Sequence, residues 1–102
     1  MRLLLITNDY PPKPGGIQQY LGNVIAAYPD EWHVIAPADP AAHPDDRVSR
    51  SSSAFMWPTP AVGAWVERRA AAFGPDVILF GAPHPLPLLG PGLRSRLGIP
   101  YG

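Results

Sequence analysis

A chain of 102 residues amounts to one domain or part of one, and its core can be only modest. Its 46% apolar and 16% charged content belongs to a globular protein despite 15 prolines, and a formal net charge of zero excludes recruitment of nucleic acid by a strong positive field. With no cysteine there is no disulfide framework or thiolate metal site, and no apolar run approaches a membrane span, so the expectation is a cytoplasmic protein.

Residues 2–7 open with the unalternating run Leu3-Leu4-Leu5-Ile6, which predicts a buried strand ending in the polar Thr7-Asn8-Asp9. A stiff loop follows, Tyr10-Pro11-Pro12-Lys13-Pro14, and then Gly15-Gly16. The tight flanking elements favour a proline-stiffened loop over a polyproline ligand. A helix is predicted over 16–28, with Ile17, Leu21, Val24, Ile25 and Tyr28 on its apolar face. Residues 32–36 form a second strand stopped by Pro37, and 37–46 read as loop. The segments 47–50 and 54–57 predict two short strands around Ser51-Ser52-Ser53. Pro58-Thr59-Pro60 opens a helix over 61–73, closed by Gly74-Pro75. Asp76–Phe80 is a further buried strand, and residues 81–85 form a second strand-to-helix turn. Residues 86–97 predict a helix made short, kinked or late by Pro87 and Pro91, with Gly98 as its cap. Ile99–Gly102 reads as the start of another strand. Alternating strands and helices imply an α/β, Rossmann-like parallel sheet flanked by helices, with the first strand central.

The first strand-to-helix junction is the leading site candidate. Gly15-Gly16 lets a ligand approach the backbone, and the helix N-terminus behind it suits a phosphate; a plain helix-starting turn needs the same residues. The dinucleotide fingerprint G-x-G-x-x-G is broken by Ile17-Gln18-Gln19-Tyr20, which leaves Asp39 a loop residue. Asn8, Asp9 and Tyr10 lie past the carboxyl end of the first strand, where ligands bind in open α/β sheets. His84 occupies the same rim after the strand at 76–80 and is a candidate substrate contact or a surface residue. On helix 61–73, Trp65 beside Arg68 and Arg69 forms either a membrane-facing patch or a packed Trp with a solvated edge. His33, His43 and His84 form no metal constellation in sequence, and no D-x-D pair is present; no metal or other cofactor is expected.

The stretches Thr7-Asn8-Asp9-Tyr10-Pro11-Pro12 and Gly15-Gly16-Ile17-Gln18-Gln19-Tyr20 resemble the start of GT-B glycosyltransferases of family 4, most closely those that use GDP-mannose to mannosylate phosphatidylinositol. Trp57-Pro58-Thr59-Pro60 and Phe80-Gly81-Ala82 followed by Pro85-Leu86 are similar to the same family. The resemblance implies a retaining transfer of a hexose from a nucleotide diphosphate sugar, GDP-mannose, to a lipid or polyol acceptor such as phosphatidylinositol, made peripherally at the inner face of the cell membrane. It implies that Gly15 and Gly16 approach the donor diphosphate, that Asp9, Tyr10, Gln18 and His84 face the acceptor, and that residues 1–102 are the first part of an acceptor-side N-terminal domain. The family's His-containing loop, acidic motif and donor-binding C-terminal domain are absent from the chain. The expectation is a piece without catalytic residues of its own, inactive alone and prone to self-associate through unpaired strand edges. The competing reading is a non-catalytic Rossmann-like domain that binds another anion or nucleotide at the same Gly-Gly turn.

Overall fold

The structure is a computed structural model that describes residues 1–82 and 84–102; the predicted turn at 81–85 includes Pro83, which lies outside the described residues. Four strands, β1 (Leu3–Ile6), β2 (Trp32–Ala36), β3 (Val48–Arg50) and β4 (Val77–Phe80), form one parallel sheet in the order β3-β2-β1-β4. β1 is central, as its continuous apolar run predicts: Leu3, Leu4, Leu5 and Ile6 are all buried, and each pairs with β2 on one side and β4 on the other. Residues 100–102 extend the sheet beyond β4. Tyr101 pairs in parallel with Ile78, and the Gly102 N–H donates to the Ile78 carbonyl at 2.9 Å. The predicted fifth strand therefore begins here, and it covers the edge of β4.

The helices are α1 (Gly16–Ala27), α2 (Pro60–Phe73) and α3 (Gly90–Leu97), the last preceded by a 3-10 turn over Leu86–Leu89. Pro87 and Pro91 divide the predicted 86–97 helix in this way. α1 covers one face of the sheet, burying Leu21 and Ile25 against Leu3, Leu5, Val34 and Ala36. α2 and α3 cover the other, with Val66, Ala70 and Leu93 against Leu4, Ile6, Ile35, Ile78 and Phe80. Thr59 caps α2, its hydroxyl accepting from the Val62 N–H at 3.2 Å.

Two expectations are corrected. Residues 54–57 are not a strand, because the Asn8 side chain occupies both backbone polar groups of Met56, and those groups cannot join a ladder. Ile17, placed by periodicity on the buried face of α1, is exposed; burial along that face begins one turn later, at Leu21.

Candidate functional site

After β1 the chain turns to β2 and β3 on one side, then returns to add β4 on the other. This reversal opens a crevice over the carboxyl ends of β1 and β4, the place where open α/β sheets hold ligands. A pocket of about 40 Å³ lies there, lined by Thr7, Asn8, Asp9, Phe55, His84 and Leu86, among others. The structure thus brings Asp9 and His84 together from two strand ends. Gln18, on the first turn of α1, joins them: its Nε2 donates to Asp9 Oδ1 at 3.2 Å. Thr7 holds the backbone of the turn, its hydroxyl oxygen accepting from the Asp9 N–H at 2.9 Å.

Gly15 and Gly16 stand at the mouth of α1 with different constraints. Gly15 has φ 147°, and a β-carbon on it would lie 2.1 Å from Gln18 Oε1. A β-carbon on Gly16 would meet nothing within 4 Å. No side chain caps this helix, and its opening amides have no helical partner. The positive end of a 12-residue helix is thus left without a side-chain cap, and the space on the β-carbon side of Gly16 is open, an arrangement suited to an anion.

Tyr10 is placed apart from this group. It lines a separate groove with Pro11, Pro12, Gln19 and Asn23, and its half-buried ring packs on the α1 side of the core. Burial, with a smaller contribution from Asp45, raises the pKa of its phenol. Arg50 pins the proline loop, donating to the Pro11 carbonyl at 2.8 Å and the Pro37 carbonyl at 3.1 Å, with its guanidinium 5.9 Å from the Tyr10 ring centre. On α2, Trp65 is half-buried against the core, while Arg68 and Arg69 are exposed. Asp39 caps its own loop by accepting from the Ala41 N–H at 2.9 Å.

Asn8 carries a role that sequence reasoning did not assign. It is 5% exposed and bridges 48 residues, its Oδ1 accepting from the Met56 N–H at 2.7 Å and its Nδ2 donating to the Met56 carbonyl at 3.1 Å. The amide acts as a strand neighbour for one residue and draws the 51–59 loop over the end of β1. The same loop presents Phe55 and Trp57, whose ring centres are 4.7 Å apart. The polar residue directly after a buried strand was the available signal; its distant partner had none.

A larger cavity, about 640 Å³, opens at the opposite edge of the sheet among Arg2, Trp32, His33, Arg47 and Phe73. Both of its arginines are already committed. Arg2 bonds Glu31 and the carbonyls of Phe73 and Gly74 and stacks 4.4 Å from the Phe73 ring; Arg47 stacks 4.2 Å from that of Trp32. Its size does not outweigh its position at the amino ends of the strands.

No family model matches the chain. The GDP-mannose-dependent alpha-(1-6)-phosphatidylinositol monomannoside mannosyltransferase of Mycobacterium tuberculosis is 38% identical over 108 residues, an alignment covering 94% of this chain. The Mycolicibacterium smegmatis protein of the same name is 37% identical over 94% of the chain. The GDP-mannose-dependent monoacylated alpha-(1-6)-phosphatidylinositol monomannoside mannosyltransferase of Corynebacterium glutamicum is 35% identical over 86%. The chain is similar to these phosphatidylinositol mannosyltransferases over most of its own length. It spans about 28% of the length of the first two relatives and 25% of the third. The similarity thus reaches well beyond Thr7–Pro12 and Gly15–Tyr20, over 86–94% of the chain. Its four-stranded parallel α/β architecture is consistent with the N-terminal part of a glycosyltransferase. Among the described residues, no helix is long and apolar enough to cross a membrane, and no cluster of three metal-ligating side chains occurs.

Proposed function

We propose that this chain supplies the opening part of the acceptor-side domain of a GDP-mannose-dependent mannosyltransferase acting on a phosphatidylinositol-type lipid. The observation that carries the proposal is the convergence, at one strand end, of the open backbone of Gly16 with the linked Asp9 and Gln18 side chains. An anionic diphosphate and a polyol hydroxyl need those two kinds of group. The α1 amides donate to a donor phosphate oxygen, where the helix dipole favours negative charge. Asp9 accepts from an acceptor hydroxyl, Gln18 orients Asp9, and His84 closes the far side of the pocket. The nucleotide and the reacting centre belong to the remaining length of the enzyme, and the isolated chain is inactive. Contact with the membrane is peripheral, through Arg68 and Arg69, each worth about 1 kcal/mol beside an anionic leaflet. The isolated chain self-associates through the open edge of β3.

The test is transfer from radiolabelled GDP-mannose to phosphatidylinositol monomannoside in vesicles by the full-length protein. A labelled lipid product supports the reading. GDP-mannose binding without transfer to any phosphatidylinositol lipid returns the chain to a non-catalytic nucleotide-binding domain.

A further inference from the structure

The pocket over β1 and β4 is too small for the ring it would serve. About 40 Å³ has room for a hydroxyl or a water-sized group and not for a six-membered ring. A hydroxylated ring that sends one oxygen toward Asp9 and His84 must lie across the mouth. That mouth is edged by Phe55, and Trp57 continues the edge outward. Both rings are exposed, Trp57 at 58% and Phe55 at 37%, although Met56 between them is fully buried. They are held there: Asn8 pins Met56 by both backbone groups, and the Ser53 hydroxyl donates to the Phe55 carbonyl at 2.9 Å. The rings are tilted 54° to each other, which presents an angled apolar wall beside a polar dimple.

We propose that Phe55 and Trp57 form a stacking platform for a cyclitol or pyranose ring of the acceptor head group. The proposal rests on the acceptor-side reading above. A hydroxylated six-membered ring has an apolar C–H face and a polar edge. Its C–H face covers the aromatic surface while an edge hydroxyl enters the dimple, the pairing of aromatic walls with a few convergent polar groups typical of small-molecule sites. An acyl chain would bury the rings equally well but would leave the Asp9 carboxylate, bonded through one oxygen to Gln18, beside hydrocarbon, where an unpaired charged oxygen is costly. The ring is therefore the occupant that suits both halves of the site.

The experiment uses the full-length enzyme, GDP-mannose, and a dihexanoyl phosphatidylinositol monomannoside kept monomeric in solution. Trp57→Ala and Phe55→Ala should each raise KM for this acceptor by about tenfold or more, with KM for GDP-mannose unchanged. Trp57→Tyr, which retains an aromatic face, should restore most of the loss. A second readout is the part of the intrinsic tryptophan fluorescence change, on titration of the full-length enzyme with the same lipid, that Trp57→Phe removes. Loss confined to vesicle-borne acceptor would make the rings a membrane contact and overturn the proposal, as would unchanged acceptor KM in both alanine variants. If the parent enzyme transfers no mannose but Trp57 still responds to the soluble lipid, the platform stands and the mannosyltransferase reading fails. If neither occurs, both fail.

Discussion

The two edges of the sheet differ in what their polar groups have left to offer. At the amino edge lies the larger cavity, yet Arg2, Arg47, Asp30 and Glu31 are consumed by ion pairs, backbone carbonyls and aromatic faces. At the carboxyl edge the pocket is far smaller, yet the α1 amides are uncapped, Gly16 faces open space, and Asp9 has one bond to Gln18 at its carboxylate. Cavity size marks where side chains happen to splay, whereas unspent hydrogen-bonding capacity marks where a ligand completes the structure.

The sharpest way to break this contrast is Gly16→Val. A side chain there meets nothing in the free protein but fills the approach to the helix amides. Transfer by the full-length enzyme should fall about 100-fold or more, with circular dichroism and melting temperature close to the parent. Near-parental turnover would remove the phosphate role from this turn.

Gly15→Ala should act next, through strain and displacement together. The left-handed φ disfavours a β-carbon, and Gln18 must swing off Asp9 to make room. We expect about a tenfold loss of kcat/KM, roughly 1.4 kcal/mol, as a rise in acceptor KM. Asn8→Ala leaves both backbone groups of the buried Met56 unpaired and should lower stability by about 1–3 kcal/mol in denaturant titration. At the amino edge, Arg2→Ala should lower stability by about 1–2 kcal/mol and leave the rate of transfer unchanged.

The smallest effect concerns pH. Burial, and then the positive charge of Arg69, hold His33 below its ordinary pKa, and its Nε2 lies 2.7 Å from Ser49 Oγ. The unfolded chain therefore binds the proton more readily than the folded one, so stability is full above about pH 6.5 and declines as pH falls below it. His33→Gln should flatten that decline in melting temperature measured between neutral and mildly acidic buffer. A parallel decline in both proteins would assign the acid sensitivity elsewhere.

The sheet was legible because β1 is buried on both faces and β4 is buried on one and half-buried on the other, and such strands show as unbroken apolar runs, Leu3–Ile6 and Val77–Phe80. The Gly-Gly junction was legible because glycine reports a backbone requirement locally. Residues 54–57 misled because Ala54-Phe55-Met56-Trp57 has strand composition, while its conformation is set by an asparagine 48 residues away. Tyr10 was grouped with Asp9 by adjacency, but the proline loop, held by Arg50 from β3, turns it into a different groove. Pairings of that range leave no periodic trace in a sequence.

Hydrogen–deuterium exchange of the full-length protein, with and without GDP-mannose, most directly tests the claim that the carboxyl edge is the binding edge. The opening amides of α1 lack partners and should exchange quickly in the free protein. The account predicts marked slowing across residues 15–19 when the nucleotide sugar binds, with residues 29–33 and 45–47 unchanged. Protection of those amino-edge segments, with residues 15–19 still exchanging freely, would contradict it.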